Sequence, residues 1–136
     1  MTDLPLVLLV DDDEAARYLH QRLLRPYAAL TQLATAENGQ QALTQLLARP
    51  ADAPAALVLL DLNMPVLNGL GFLDAYNQWP PAQRQHTPVV VLSSSVLATE
   101  RQRVQALGAG YEEKPLTAPV VARLLAQHLG VALPAA

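Results

Sequence analysis

Five short apolar runs recur along this chain of 136 residues, and a stretch with apolar residues at helical spacing follows each of them. Such an alternation indicates repeated strand and helix units, which build a parallel sheet with helices on both faces. Short runs rich in Val and Leu are typical of strands that are buried on both sides. The predicted strands are Leu6–Val10, roughly Leu30–Ala34, Leu57–Leu60, Val89–Leu92 and a short last one near Tyr111–Glu113.

Capping residues, prolines and glycines mark where the helices between these strands begin and end. Asp13 can serve as the N-cap of the first helix, which stops before Pro26. Gly69 belongs to the turn before the third helix, where glycine would permit a positive φ. The predicted helices are Glu14–Leu24, Gln40–Leu47, Leu70–Trp79, Thr99–Leu107 and Val120–Leu129.

Length and composition restrict the class of protein. We expect one domain over residues 1–130 and a short C-terminal tail over 131–136. The chain has no cysteine, which excludes thiol catalysis and disulfides and is compatible with a reducing cytoplasm. The net charge of −3 gives no basic stripe, and from the N-terminal residues we expect neither a signal peptide nor a membrane span. A cytoplasmic protein with neither nucleic acid nor membrane as partner is expected.

Acidic residues stand where two of the predicted strands end. Asp11, Asp12 and Asp13 follow the first strand, and Asp61 follows the third. The carboxyl ends of parallel strands meet at one edge of the sheet, where ligands bind. Carboxylate oxygens suit Mg²⁺, and a carboxylate can also accept a phosphoryl group as an acyl phosphate. Position alone favours Asp61 as a solvated turn residue or a helix cap over a phosphoacceptor, and Asp13 fits best as a helix cap.

The segments VLLVDDDE and LLDLNMPVLNG resemble the receiver domain of two-component response regulators, and the resemblance covers nearly the whole chain. It implies a flavodoxin-like, doubly wound sheet of five parallel strands in the order 2-1-3-4-5 with five helices. It also implies that Asp61 is the phosphoacceptor. For Mg²⁺ it implies direct ligation by Asp12, Asp61 and the backbone carbonyl of Asn63, with Asp11 acting through water.

The same resemblance assigns roles to three residues near the ends of the last two strands. Ser93 stands where receivers carry a Thr or Ser that bonds the phosphoryl oxygen, and Ser94 is the alternative. Lys114, before Pro115, would reach the acidic crevice across a cis peptide bond. Tyr111 matches the switch aromatic of the family, or is simply a half-buried strand residue. The loop before Tyr111 is one residue shorter than is usual in receivers.

These assignments predict a single-domain response regulator that takes a phosphoryl group on Asp61 with Mg²⁺ from a histidine kinase or phosphotransfer protein. Phosphorylation would draw in Ser93 and Lys114, reorient Tyr111, and change the face of helix four, strand five and helix five toward a target protein. The alternatives are an adaptor or scaffold that takes no phosphate, or an intermediate phosphate carrier.

Two enzyme classes fit the sequence less well. Dehalogenase-type phosphatases need a second Asp two residues after the nucleophile, and this position is Asn63, which cannot transfer protons. A nucleotide-binding protein would need a Gly-rich loop after the first strand, where acids stand instead. We therefore expect no enzyme, with slow autodephosphorylation at most. We also expect His20, His86 and His128 to be surface residues.

Overall fold

The computed structural model of the chain describes residues 4–49, 54–62, 68–79, 87–94 and 98–133. Its strands form one parallel sheet in the order β2-β1-β3-β4-β5, which confirms the predicted flavodoxin-like topology. The strands are β1 (Leu6–Val10), β2 (Gln32–Ala36), β3 (Leu57–Asp61), β4 (Val89–Ser93) and β5 (Gly110–Glu113).

Five α-helices lie in the described ranges, as predicted, and a single 3₁₀ turn (Arg25–Tyr27) extends the first. The Asp13 side chain accepts a hydrogen bond of 3.0 Å from the Ala15 N–H, which confirms Asp13 as the N-cap of the first helix. The helices are α1 (Glu14–Leu24), α2 (Gly39–Leu47), α3 (Gly69–Asn77), α4 (Ala98–Ala106) and α5 (Ala118–Leu129). None of them is long and apolar enough to cross a bilayer.

Strand β2 begins two residues later than the apolar pattern predicted. Leu30 and Thr31 still belong to the turn after the 3₁₀ segment, because both of their N–H groups donate to the Tyr27 carbonyl. The Thr31 hydroxyl donates to the same carbonyl at 3.0 Å. The Gln32 N–H then donates to the Pro5 carbonyl at 2.8 Å, where pairing with the neighbouring strand starts. The local hydrogen bonds of the turn therefore delay the start of the strand beyond the position that the apolar run predicted.

The core consists of two layers, one on each face of the sheet. Every residue of β1, β3 and β4 is buried, as expected for central strands of a parallel sheet. Leu8, Leu60 and Phe72 belong to one layer, and Val7 and Leu124 to the other. Because side chains alternate along each strand, the same strands supply both layers. This rigid centre fixes where the strand ends, and the residues that follow them, lie.

The histidines depart from the sequence prediction. His20 of α1 is buried, with only 8% of its surface exposed, so its prediction as a surface residue was wrong. His128 is partly buried, and His86 lies outside the described residues. The 3.6-residue periodicity of α1 did not reveal the burial because a histidine is compatible with either face. Burial lowers the pKa of His20 below its ordinary value, and the charge of Lys114 lowers it further.

This lowered pKa predicts a pH dependence of stability. As the pH falls below about 6.5, the unfolded chain takes up a proton at His20 that the folded chain resists, so unfolding becomes more favourable. In urea titrations between pH 7.5 and pH 5.5, the wild type should lose stability at up to about 1.4 kcal/mol per pH unit more than His20→Gln does. The variant measured at pH 7.5 gives the cost of altered packing separately. Parallel pH profiles for both proteins would contradict the prediction.

Candidate functional site

Three carboxylates converge at the C-terminal edge of the sheet. Asp61 is the last residue of β3, and Asp11 and Asp12 follow the neighbouring β1. One carboxylate oxygen from each of the three lies within 4.8 Å of the others. Asp11 and Asp61 are buried, whereas Asp12 is exposed. The structure therefore brings together the three acids that the sequence placed at strand ends.

Lys114 supplies a positive charge to this cluster. Its ammonium nitrogen Nζ lies 2.9 Å from Asp61 Oδ1 and 3.8 Å from Asp11 Oδ2. Its backbone N–H donates to the Ser93 carbonyl at 2.9 Å, which ties the end of β5 to the end of β4. The peptide bond between Lys114 and Pro115 is cis, as the resemblance implied. The Lys114 ammonium is thus close enough to neutralise negative charge on the Asp61 side chain.

Asp11 is the acid in the least favourable surroundings. Its burial raises its pKa above the ordinary value, and the negative charge of Asp61 raises it further. The Asp13 N–H donates to Asp11 Oδ1 at 2.9 Å and partly offsets this rise. The other oxygen, Oδ2, is buried and accepts no hydrogen bond from the described residues. Lys114 Nζ lies 3.8 Å from this oxygen, beyond hydrogen-bond distance, so a bound cation would stabilise the carboxylate further.

The donor set fits Mg²⁺ better than a softer metal. Three carboxylates offer hard oxygen ligands that lie close enough together to hold a metal ion, and the described part of the chain places neither His nor Cys among them. Exposed Asp12 leaves room for the waters that Mg²⁺ usually keeps. Asn63, whose carbonyl was a predicted ligand, lies outside the described residues.

Magnesium should stabilise the fold through this cluster. We expect Mg²⁺ at tenfold its dissociation constant to add about 1.4 kcal/mol, which is a rise of several degrees in Tm for a chain of this size. Asp12→Asn should remove most of this gain at little cost in metal-free stability, because the side chain is exposed. Thermal unfolding with Mg²⁺ or EDTA measures both. Asp74→Asn, which changes an exposed acid of α3, is the matched control and should keep the full rise in Tm with Mg²⁺. If Asp12→Asn showed the same rise as the wild type, the assignment of Asp12 as a metal ligand would be wrong.

The two candidate hydroxyls differ in burial. Ser93 is the last residue of β4 and is 1% exposed, whereas Ser94 is exposed. Tyr111 lies on β5 opposite Val91 and is packed partly against the core. The Arg101 guanidinium of α4 lies over its ring, 4.7 Å from the ring centroid. Tyr111 is therefore a half-buried residue on the strand that leads to Lys114, a position that is compatible with both roles considered for it.

Gly69 is needed for a reason other than the predicted one. It has no positive φ, whereas Gly108 and Gly130 do. A Cβ added at Gly69 would lie 2.9 Å from Leu62 Cα and 3.1 Å from the Asp61 carbonyl oxygen. The Gly69 N–H also donates to the Leu62 carbonyl at 2.9 Å. Glycine thus allows α3 to start directly against the strand end that carries Asp61.

One residue near the site was missed by sequence reasoning. Arg17 of α1 donates from Nη1 to the Asp11 backbone carbonyl at 2.7 Å, and its other terminal nitrogen lies 3.8 Å from Glu37. Its side chain is only 14% exposed. Arg17 therefore fixes the backbone of the acidic loop without contacting a carboxylate of the cluster. The sequence carries no local signal for this role, because it depends on where α1 lies relative to the end of β1.

Comparisons with known proteins identify the family of this chain. Residues 7–126 match the family described as the response regulator receiver domain. The chain is 32% identical over 132 residues to the sensor histidine kinase GacS of Pseudomonas protegens, a match that covers 95% of this chain and 14% of the kinase. It is 32% identical over 114 residues to the two-component response regulator ARR22 of Arabidopsis thaliana, covering 82% of this chain and 74% of that protein.

A solved structure has the same fold as this chain. The chemotaxis protein CheY4 of Vibrio cholerae superposes with a TM-score of 0.76 at 27% identity, covering 93% of this chain and 99% of CheY4. Fold, acidic edge and matches together define a switch domain of two-component signalling. The chain belongs to the response regulator receiver domain family. Members of the family are signalling switches and not classical enzymes, bind Mg²⁺ at an acidic site, and interact with histidine kinases or phosphotransfer proteins.

Proposed function

We propose that this chain is a Mg²⁺-dependent phosphoryl-accepting switch with Asp61 as the acceptor, and that residues 1–130 form the receiver with residues 131–136 as a short tail. The observation that carries the proposal is the contact of Lys114 Nζ with Asp61 Oδ1 inside a cluster of three carboxylates. A carboxylate held between a cation and a metal-binding set of acids is suited to attack a phosphoryl group, since the surrounding positive charge offsets the repulsion.

The transfer exchanges one bond to phosphorus for another. An Asp61 carboxylate oxygen attacks the phosphorus of the donor in line with the leaving group, and a new O–P bond forms as the bond to the donor breaks. Lys114 would neutralise charge on the transferring group, and Asp11 and Asp12 would hold the metal together with Asp61. Bound Mg²⁺ would supply charge neutralisation and orientation. The Asn63 backbone carbonyl remains a proposed further ligand.

Phosphorylation would change the partners of Lys114. The ammonium now contacts Asp61 Oδ1, and a phosphoryl group on Asp61 would offer it a more highly charged set of oxygens. Ser93 directly follows Leu92, which is the partner of Asp61 in the β3–β4 register, so its hydroxyl is our proposed second contact to the phosphoryl group. Because Tyr111 lies on the same strand as Glu113, a shift at Lys114 would reach the face of α4, β5 and α5, where we propose that a target protein binds.

The position two residues after Asp61 bears on how long the signal lasts. Asn63 stands there, and its side-chain amide can neither give nor accept a proton at neutral pH. Water attack on the acyl phosphate would therefore proceed without help from this position. We propose slow autodephosphorylation, which suits a switch that must hold its signal until it meets a partner.

The test is intact mass after incubation of the wild type with acetyl phosphate. With Mg²⁺ we expect a gain of one phosphoryl group, and with EDTA none. Treatment with hydroxylamine, which cleaves acyl phosphates, should return the mass to its starting value. If no gain appears at any Mg²⁺ concentration, the proposal is wrong and a phosphate-independent adaptor becomes the better account of this chain.

A further inference from the structure

Strand β5 carries two adjacent glutamates, and an arginine from each flanking helix pairs with one of them. Arg101 of α4 lies 3.6 Å from Glu113, and Arg123 of α5 bonds Glu112. The two pairs differ in one respect. Arg101 also covers the ring of Tyr111 at 4.7 Å from the centroid, so one guanidinium contacts two side chains of the same strand.

We propose that Arg101 is a positioning residue that holds Tyr111 and β5 in the conformation in which Lys114 contacts Asp61, and that it releases them on phosphorylation. This inference rests on the proposed function. It assigns to α4 a restraint on the switch that is separate from the acids and the lysine of the site.

The restraint is connected to the site through the backbone. Glu113, the ion-pair partner of Arg101, directly precedes Lys114 in the chain. Glu113 is also opposite Ser93 in the β4–β5 ladder, and the Lys114 N–H donates to the Ser93 carbonyl. A movement of Lys114 from Asp61 toward a phosphoryl group would therefore move Glu113 and weaken its contact with Arg101. The same displacement would uncover the face of the Tyr111 ring.

The contact with Asp61 identifies which conformation Arg101 favours. Lys114 Nζ lies at hydrogen-bond distance from Asp61 Oδ1, which is the contact expected while Asp61 carries no phosphoryl group. Arg101 makes both of its contacts in that arrangement. Its side chain is 49% exposed and that of Glu113 is 66% exposed, so each contact is weak. Together, an exposed cation–π contact and an exposed ion pair should shift a two-state equilibrium about two- to tenfold.

The experiment compares rates of Mg²⁺-dependent phosphorylation by acetyl phosphate. Arg101→Met keeps most of the aliphatic stem and removes the cation, and we expect it to be phosphorylated about two- to tenfold faster than the wild type because the restraint is lost. Arg101→Lys should restore a rate near that of the wild type. Arg103→Met, at an exposed arginine of the same helix, controls for the loss of one positive charge, which by itself would only slow the approach of an anionic donor.

A double-mutant cycle with Tyr111→Leu tests whether Arg101 acts through the ring. In that background Arg101→Met should accelerate phosphorylation much less than in the wild type. Equal thermal unfolding of the Arg101 variants and the wild type would show that the rates do not reflect a damaged fold. If the wild type is phosphorylated and Arg101→Met reacts at the same rate or more slowly, the role proposed for Arg101 is wrong and the proposed function stands. A wild type that takes no phosphate overturns the proposed function and, with it, this inference.

Discussion

Asp61→Asn is expected to abolish the gain of a phosphoryl group from acetyl phosphate, whatever the Mg²⁺ concentration. An amide is a poor nucleophile toward phosphorus and cannot form an acyl phosphate, so the reaction loses its acceptor. The substitution also removes the charge that Lys114 contacts at 2.9 Å. Intact mass spectrometry measures the loss directly, and peptide mapping of the wild-type product after borohydride reduction should place the modification on the peptide that contains Asp61.

The control must separate the acceptor from other acids of the same region. Asp74→Asn alters an exposed acid of α3, outside the carboxylate cluster, and should be phosphorylated like the wild type. Asp12→Asn should react more slowly, since it keeps the acceptor and weakens metal binding. If Asp61→Asn were labelled at the wild-type rate, the acceptor would have to be another residue, and the neighbouring carboxylates of Asp11 and Asp12 would be the next candidates.

The sequence predicted the site to the extent that strand ends define it. Apolar runs end at Asp11 and Asp61, and in a parallel sheet the ends of all strands lie at the same edge. The two acids are neighbours because β1 pairs directly with β3. The Asp13 cap was predictable because it depends on residues within one turn. These inferences succeed because each one uses a periodicity or a local signal.

Contacts between distant elements left no such signal. The position of Arg101 over Tyr111 depends on how α4 packs beside β5, and the role of Arg17 depends on where α1 lies relative to the Asp11 carbonyl. The burial of His20 is of the same kind, because the composition of α1 does not show which neighbours cover its inner face. Gly69 was identified as important, but its reason, a close approach of α3 to Asp61 and Leu62, appears only in three dimensions.

Phe72→Ala is expected to cost about 3 to 5 kcal/mol of unfolding free energy, the largest effect on stability that we predict. The Phe72 side chain is fully buried, belongs to the core layer beneath α3, and stacks on Tyr76 with the ring centroids 5.8 Å apart. Truncation removes its apolar contacts and leaves a cavity that close-packed neighbours can fill only in part. Urea denaturation followed by circular dichroism gives the free energy, with an unchanged m-value expected if the unfolded state is unaffected.

Two variants decide whether the loss comes from the cavity. Phe72→Leu keeps much of the volume and should cost clearly less, and Asp74→Ala on the exposed side of the same helix should change stability little. Because the carboxylate cluster is attached to β1 and β3, Phe72→Ala at temperatures where it stays folded should still gain stability from Mg²⁺. A variant that folds but has lost this gain would show that the packing of α3 positions Asp61. The close approach of Gly69 to the Asp61 carbonyl would then be the structural link between the core and the site.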